Sequence, residues 1–270
     1  MKTGVVLHYS ERLPEDFRWC VENRIPTCQL SVPPEQETAE TAERIVAACR
    51  ESGMEITALV GTWSGPNEWN FRQGPQTLGI VPAAYRYARM QELVRCAELA
   101  RMLEVPGVCT HMGFIPENPN DPAYGEFVGA ARWLAGAFRA RGIGLYFETG
   151  QETPVTLLRV LGDIGAENTG LNFDPANLLM YGKANPIDAL DVVGRYVRGV
   201  HAKDGEYPTD GYSLGREMPM GQGRVGFPAF VAKLKEIGYD GALTIEREIS
   251  GPQQKNDVLT ANGMLLDLIG

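Results

Sequence analysis

Four apolar runs in the C-terminal half of the chain each end in a side chain able to bind a metal ion. GLYFE ends at Glu148, GLNFD at Asp174, RGVH at His201 and ALTIE at Glu246. Three carboxylates and an imidazole suit a hard or borderline divalent ion, with Mn²⁺, Mg²⁺, Co²⁺ and Zn²⁺ all admissible. Without a cation, three carboxylates gathered at one point would repel one another and raise their own pKa values. The last run continues into Glu246-Arg247-Glu248, and a solvated edge strand would explain those charges alone. Recurrence of the pattern at four strand ends is what points to a site.

The chain has only three histidines, His8, His111 and His201, and each closes a predicted strand. His201 is expected to be a metal ligand. His8 and His111 are expected to touch substrate or to support the ligands from behind, with a structural role as the alternative. Lys203 lies two residues beyond His201 and shares its face by strand alternation, so it is expected to steady a developing oxyanion, or else to pair with Asp204 or Glu248. Arg247 falls on the face opposite Glu246 and is expected to form a structural ion pair. Trp63, in the GTWSG turn after the third strand, is expected to cover an apolar face of the substrate or simply to pack in its loop.

The segment GQGRVG, with glycines at 221, 223 and 226, matches the dinucleotide-binding expression. It ends a long loop late in the chain instead of following a first strand, which argues against a nucleotide. A glycine-rich loop after the seventh strand is a common phosphate position in barrels, and Arg224 would assist there. That loop, residues 203–227, otherwise reads as a functional lid.

These side chains must be positioned by regular elements. Apolar runs fall at 3–8, 27–31, 55–61, 107–111, 144–148, 169–174, 198–201 and 242–246. Amphipathic helical patterns lie between them at 37–52, 82–103, 121–141, 154–164, 186–196, 228–237 and 254–269, with a weaker pattern at 13–23. Several start on proline and several stop at glycine: Gly53, Gly142 and Gly238. Eight units in 270 residues average about 34 each, the size of a single (β/α)₈ barrel occupying residues 1–270. A doubly wound open sheet is the alternative. In a barrel, the carboxyl ends of the strands converge on one rim, which would bring the four donors together.

Composition agrees. At 44% hydrophobic content the chain can bury a large core. Cys20, Cys28, Cys49, Cys96 and Cys109 are scattered and without a C-x-x-C pair, as expected of free thiols in a reducing compartment. Twenty-five basic against 34 acidic residues give a net charge of −9, and no basic run occurs, so nucleic acid is not an expected partner. No run is long enough to span a membrane, and the N-terminus soon turns charged, so the chain reads as soluble and cytoplasmic.

FETG at Glu148, NFDPAN at Asp174, GVHAKD at His201, the segment MGQGRVGFPAFVAKLKEIGYDGAL and TIERE at Glu246 resemble the xylose-isomerase-like TIM barrels. That superfamily includes ketose 3-epimerases, hydroxypyruvate isomerases, inosose dehydratases and apurinic-site endonucleases. The resemblance covers the C-terminal half; the first hundred residues share only the strand-helix rhythm. It implies that Glu148, Asp174, His201 and Glu246 bind one divalent metal, that Glu148 and Glu246 double as acid and base, and that a homo-oligomer is reasonable. The chain departs from ketose 3-epimerases, which carry histidines where it has Asp174-Pro-Ala-Asn and Glu148-Thr-Gly. It also has too few histidines for the multi-metal site of the DNA-repair members.

The implied chemistry is proton transfer through a metal-stabilised enediolate of a sugar or polyol, phosphorylated or not. Returning the proton to the other face gives an epimerase, and returning it to the other carbon gives an aldose–ketose isomerase. Expelling a β-hydroxyl gives a dehydratase or lyase acting on a keto-sugar or keto-inositol. A barrel that binds metal and sugar without turnover is the non-enzymatic alternative.

Overall fold

Short apolar runs bounded by glycine, proline and capping residues dictate the architecture. The computed structural model describes residues 1–270. The strands are β1 (Lys2–His8), β2 (Thr27–Ser31), β3 (Glu55–Val60), β4 (Gly107–Thr110), β5 (Gly144–Glu148), β6 (Thr169–Phe173), β7 (Val197–Ala202), β8 (Asp204–Gly205), β9 (Glu217–Met218) and β10 (Ala242–Ile245). Eight of them form a closed parallel barrel in the order β1-β10-β7-β6-β5-β4-β3-β2, with β8 and β9 as a small antiparallel pair beside it. Closure is made where β1 pairs with β10, from Lys2 opposite Ala242 to Val5 opposite Ile245. An open doubly wound sheet has no such pairing.

The helices are α1 (Leu13–Glu22), α2 (Ala39–Ser52), α3 (Gly74–Thr77), α4 (Ala83–Met102), α5 (Pro122–Arg139), α6 (Pro154–Ile164), α7 (Pro175–Met180), α8 (Pro186–Val193), α9 (Phe227–Glu236) and α10 (Pro252–Ile269). Four of them start with a polar cap followed by proline. Asp121, Thr153, Asp174 and Asn185 each accept a backbone N–H from the first turn of α5, α6, α7 and α8. Proline at that position gives up only an amide that the helix leaves unpaired anyway.

Two helices, α3 and α7, were not expected, because four and six residues are too few to show a period. The expected helix over 186–196 ends earlier, at Val193, and tightens into a 3₁₀ turn, Gly194–Tyr196, that delivers the chain to β7.

Helices and barrel meet in one large apolar cluster. Within it Phe173 of β6 stacks on Phe230 of α9 at 5.9 Å between centroids. Side chains of this kind contribute about 1.5–3 kcal/mol each when fully buried. No helix is long and apolar enough to cross a membrane, and all five cysteines are free.

Candidate metal centre and substrate cavity

Glu148 ends β5, Asp174 caps α7 immediately after β6, His201 sits within β7 and Glu246 follows β10. Their ligand atoms all lie within 4.8 Å of one another. Nδ1 of His201 is 3.1 Å from Glu148 Oε1, 3.2 Å from Glu246 Oε2 and 3.7 Å from Asp174 Oδ2. Glu148, Asp174 and His201 are buried, and Glu246 is partly open, its side chain 17% exposed.

A layer of polar side chains inside the barrel orients the imidazole. His201 Nε2–H donates to Gln29 Oε1 at 2.8 Å, and Gln29 Nε2 donates to Asn172 Oδ1 at 2.8 Å. Cys109 Sγ–H donates to the same Gln29 oxygen at 3.3 Å. With Nε2 carrying the proton, Nδ1 is the ring atom turned to the carboxylates, the arrangement that metal-binding histidines adopt. Gly199 makes room for this layer, since a Cβ there would collide with the Asn172 amide.

Electrostatics favour a cation among these groups. Burial works against ionisation of Glu148, but His111 and His201 outweigh it and hold its carboxyl well below the usual range. Burial likewise opposes ionisation of Glu246, yet Lys203 and His201 bring it down to about 2. Burial dominates at Asp174 and raises its pKa, although Lys203 pulls the other way. At His201 burial opposes the charge, while Glu246 and Glu148 raise its pKa well above the ordinary value.

With His201 as the neutral ligand described above, the three carboxylates outnumber the Lys203 ammonium, which Glu248 also shares, and a divalent ion would offset that excess in place of the His201 proton. Asp174 Oδ1 accepts the Asn177 backbone N–H at 2.8 Å, while its buried Oδ2, facing the cluster, has no hydrogen-bond partner. Such an orphaned acceptor is costly unless something else satisfies it. The donor set and the orphaned oxygen both fit a divalent metal.

Lys203 is buried and joins this cluster, with Nζ 3.0 Å from Glu246 Oε2 and 2.9 Å from Glu248 Oε1. Asn177, which sequence reading did not single out, bridges the same groups: Nδ2 donates to Glu148 at 3.3 Å and Oδ1 accepts from Lys203 at 3.4 Å. It closes the Asp174-Pro-Ala-Asn segment that departs from the ketose 3-epimerases. Arg247 pairs with Glu217 at 2.9 Å and Asp257 at 2.8 Å, the structural ion pairing expected of it, although it lies beyond the end of β10 and lines the same cavity as Glu246.

Above the centre opens a cavity of about 800 Å³ whose wall includes Glu148, Glu246, His8, Trp63 and His111. His8 is exposed at the end of β1. His111 Nε2 lies 3.2 Å from Glu148 Oε1, and Trp69 meets the His111 ring edge-on at 4.8 Å. Trp63 and Trp69 ride on the loop of residues 61–82, which the fully buried Arg89 of α4 clamps. Its guanidinium donates to the carbonyls of Ser64, Pro66, Thr77 and Gly79 at 2.6–3.2 Å. Arg89 is invisible to pattern reading, because it stands in a helix face otherwise expected to be apolar.

The expectation of a phosphate cradle at the glycine-rich loop is not met. The backbone amides of Gly221, Gly223 and Val225, with that of Gly205, donate to the Asp204 carboxylate at 2.8–3.1 Å. The chain supplies its own anion to this nest. Arg224 is exposed and lies outside the cavity wall. The loop is also tied to α7 by Gly215 N–H donating to Met180 O at 2.8 Å.

Asp204→Ala is therefore expected to cost about 2–3 kcal/mol by stranding these amides, with sulfate restoring part of the loss. Urea unfolding with and without sulfate checks this. Unchanged stability with no response to sulfate would count against the nest.

Glu152, on the loop after β5, is buried with Oε2 unpartnered, and burial pushes its pKa up to about 8 from 4.5. Below pH 4.5 both folded and unfolded chains hold this proton, and the side chain carries no ionisation penalty. Between 4.5 and 8 only the unfolded chain releases it, so stability falls with rising pH, by a few kcal/mol across that window. Glu152→Gln removes this slope and is expected to be more stable than wild type at pH 8, the difference closing towards pH 4.5. Denaturant melts at three pH values would show parallel curves if this assignment were wrong.

A sequence profile of the xylose isomerase-like TIM barrels matches residues 20–265. A xylose isomerase domain protein from Planctomyces limnophilus has 35% sequence identity and a TM-score of 0.91, covering 98% of this chain and 96% of that one. A 3-keto-D-glucoside 4-epimerase from E. coli superposes with a TM-score of 0.76 at 16% identity, covering 99% of each chain. An uncharacterized protein of Methanocaldococcus jannaschii is 35% identical over 97 residues, which span 36% of this chain and 31% of that protein.

Proposed function

The chain belongs to the xylose isomerase-like TIM barrels, and we propose that it is a divalent-metal-dependent isomerase or epimerase that moves a proton beside the carbonyl of a sugar or polyol. The observation that carries this reading is the convergence of Glu148, Asp174, His201 and Glu246 within 4.8 Å, with Glu148 and Glu246 opening into the cavity. A divalent ion held by these four would supply a Lewis acid that polarises the substrate carbonyl.

The remaining work falls to the chain. Glu246, ionised and partly open to the cavity, is the accessible base for the proton on the neighbouring carbon. Glu148 arrives from β5, three places round the barrel from β10, and so meets the substrate from another side. One glutamate takes the proton and the other returns it. His111 holds Glu148 in place, and Lys203, beside Glu246, can donate to oxygen as negative charge develops there. Trp63 and Trp69 shield this end of the cavity. Because Asp204 fills the loop nest, the geometry favours an unphosphorylated substrate.

Metal-loaded protein incubated in heavy water with a panel of ketoses and keto-inositols, followed by NMR, tests the reading. Deuterium should enter the carbon beside the carbonyl with inversion or carbonyl migration. Loss of water would make the protein a dehydratase, and no exchange with any compound would leave a binding barrel without turnover.

A further inference from the structure

The cavity is larger than a monosaccharide requires. It runs from Glu148 and Glu246 at the barrel mouth, past His8, to a distal end made by Asp16 and Trp19 of α1 and Gln254 and Lys255 of α10. A hexose has about a dozen heavy atoms; allowing each the roughly 30 Å³ that a water takes in the liquid gives roughly 360 Å³. That generous figure is under half of the 800 Å³ available. A single ring placed against the metal centre would leave the α1–α10 end unfilled.

The chemistry of the distal end narrows its occupant. Trp19 is half-buried, and the exposed Lys255 places Nζ 5.0 Å from its ring centroid. An indole with an ammonium donor above it and the Asp16 carboxylate nearby suits the apolar face and hydroxyl rim of a sugar ring. Asp16 and Lys255 cancel in charge. Arg247, the guanidinium in the cavity wall, is already taken by Glu217 and Asp257. No unpaired positive cluster awaits a phosphate or nucleotide, and the polar groups of Asp16, Gln254 and Lys255 interrupt any trough for an alkyl tail.

We infer that the distal end is a second sugar subsite, and that the substrate is a neutral glycoside or disaccharide whose reacting ring lies against the metal centre. This rests on the reaction proposed above for that centre.

Calorimetric titration of the Mn²⁺-loaded protein with maltose, lactose, cellobiose, maltulose and lactulose, each of which opens to the free carbonyl that the proposed reaction needs, beside glucose, galactose and fructose, tests it. At least one disaccharide should bind about tenfold more tightly than its own monosaccharides, the scale of one added aromatic contact. That preference should disappear in Trp19→Ala and in Lys255→Ala, the second of which alters only an exposed side chain. A panel without any such preference, or a preference that survives in both variants, overturns the subsite. Deuterium exchange separates the two claims: exchange into monosaccharides without disaccharide preference sinks the subsite alone, whereas preference without exchange sinks the reaction alone.

Discussion

Glu246→Gln is expected to lower turnover by about 10²–10⁴-fold, the usual contribution of a positioned acid–base group, while the barrel stays folded. The substitution is nearly isosteric and keeps an oxygen towards His201 and Lys203. It removes the charge that makes Glu246 a base, a charge that Lys203 and His201 maintain against burial down to about pH 2. Deuterium wash-in is the cleaner measure, because it reports proton abstraction even when net conversion is slow. Normal exchange rates in this variant would show that another group takes the proton.

Asp174→Asn is expected to weaken metal binding by at least about 100-fold, beyond the loss that follows removal of a supporting group. Asn retains an acceptor for the Asn177 N–H, so α7 keeps its cap, and it removes a buried charge whose Oδ2 has no hydrogen-bond partner, only His201 and Lys203 at 3.7 Å. The metal-free variant should melt at or above the wild-type temperature. Wild type at a metal concentration 100 times its Kd gains about 2.7 kcal/mol, and the variant should lose most of that increment. A drop in metal-free stability with the increment intact would mean that Asp174 is a structural cap and no ligand.

Much of this was legible in the sequence because strands that feed a barrel must be apolar until they reach its rim. GLYFE, GLNFD, RGVH and ALTIE therefore announced their last residues as exceptions, and the structure brings Glu148, Asp174, His201 and Glu246 together. Alternation also placed Lys203 with His201, whereas Arg247, beyond the end of β10, makes its ion pairs while lining the same cavity as Glu246.

What escaped reading lies one layer further in or depends on tertiary contact. Gln29, Asn172 and Cys109 look like ordinary interruptions of apolar strands until the barrel closes and stacks them beneath His201. Trp69 and Arg89 meet the site only through the fold of the 61–82 loop. The phosphate position that the glycine-rich loop offered as one alternative fails for a related reason. A nest of amides has the same sequence pattern whether its anion is a ligand or, as here, Asp204.

The central claim is that one divalent cation sits among the four strand-end donors. A crystal soaked in Mn²⁺ and measured near the manganese edge tests it directly. The account predicts a single strong anomalous peak within roughly 2.0–2.6 Å of ligand atoms from Glu148, Asp174, His201 and Glu246. A map with no peak there, or with its peak on other residues, would contradict it.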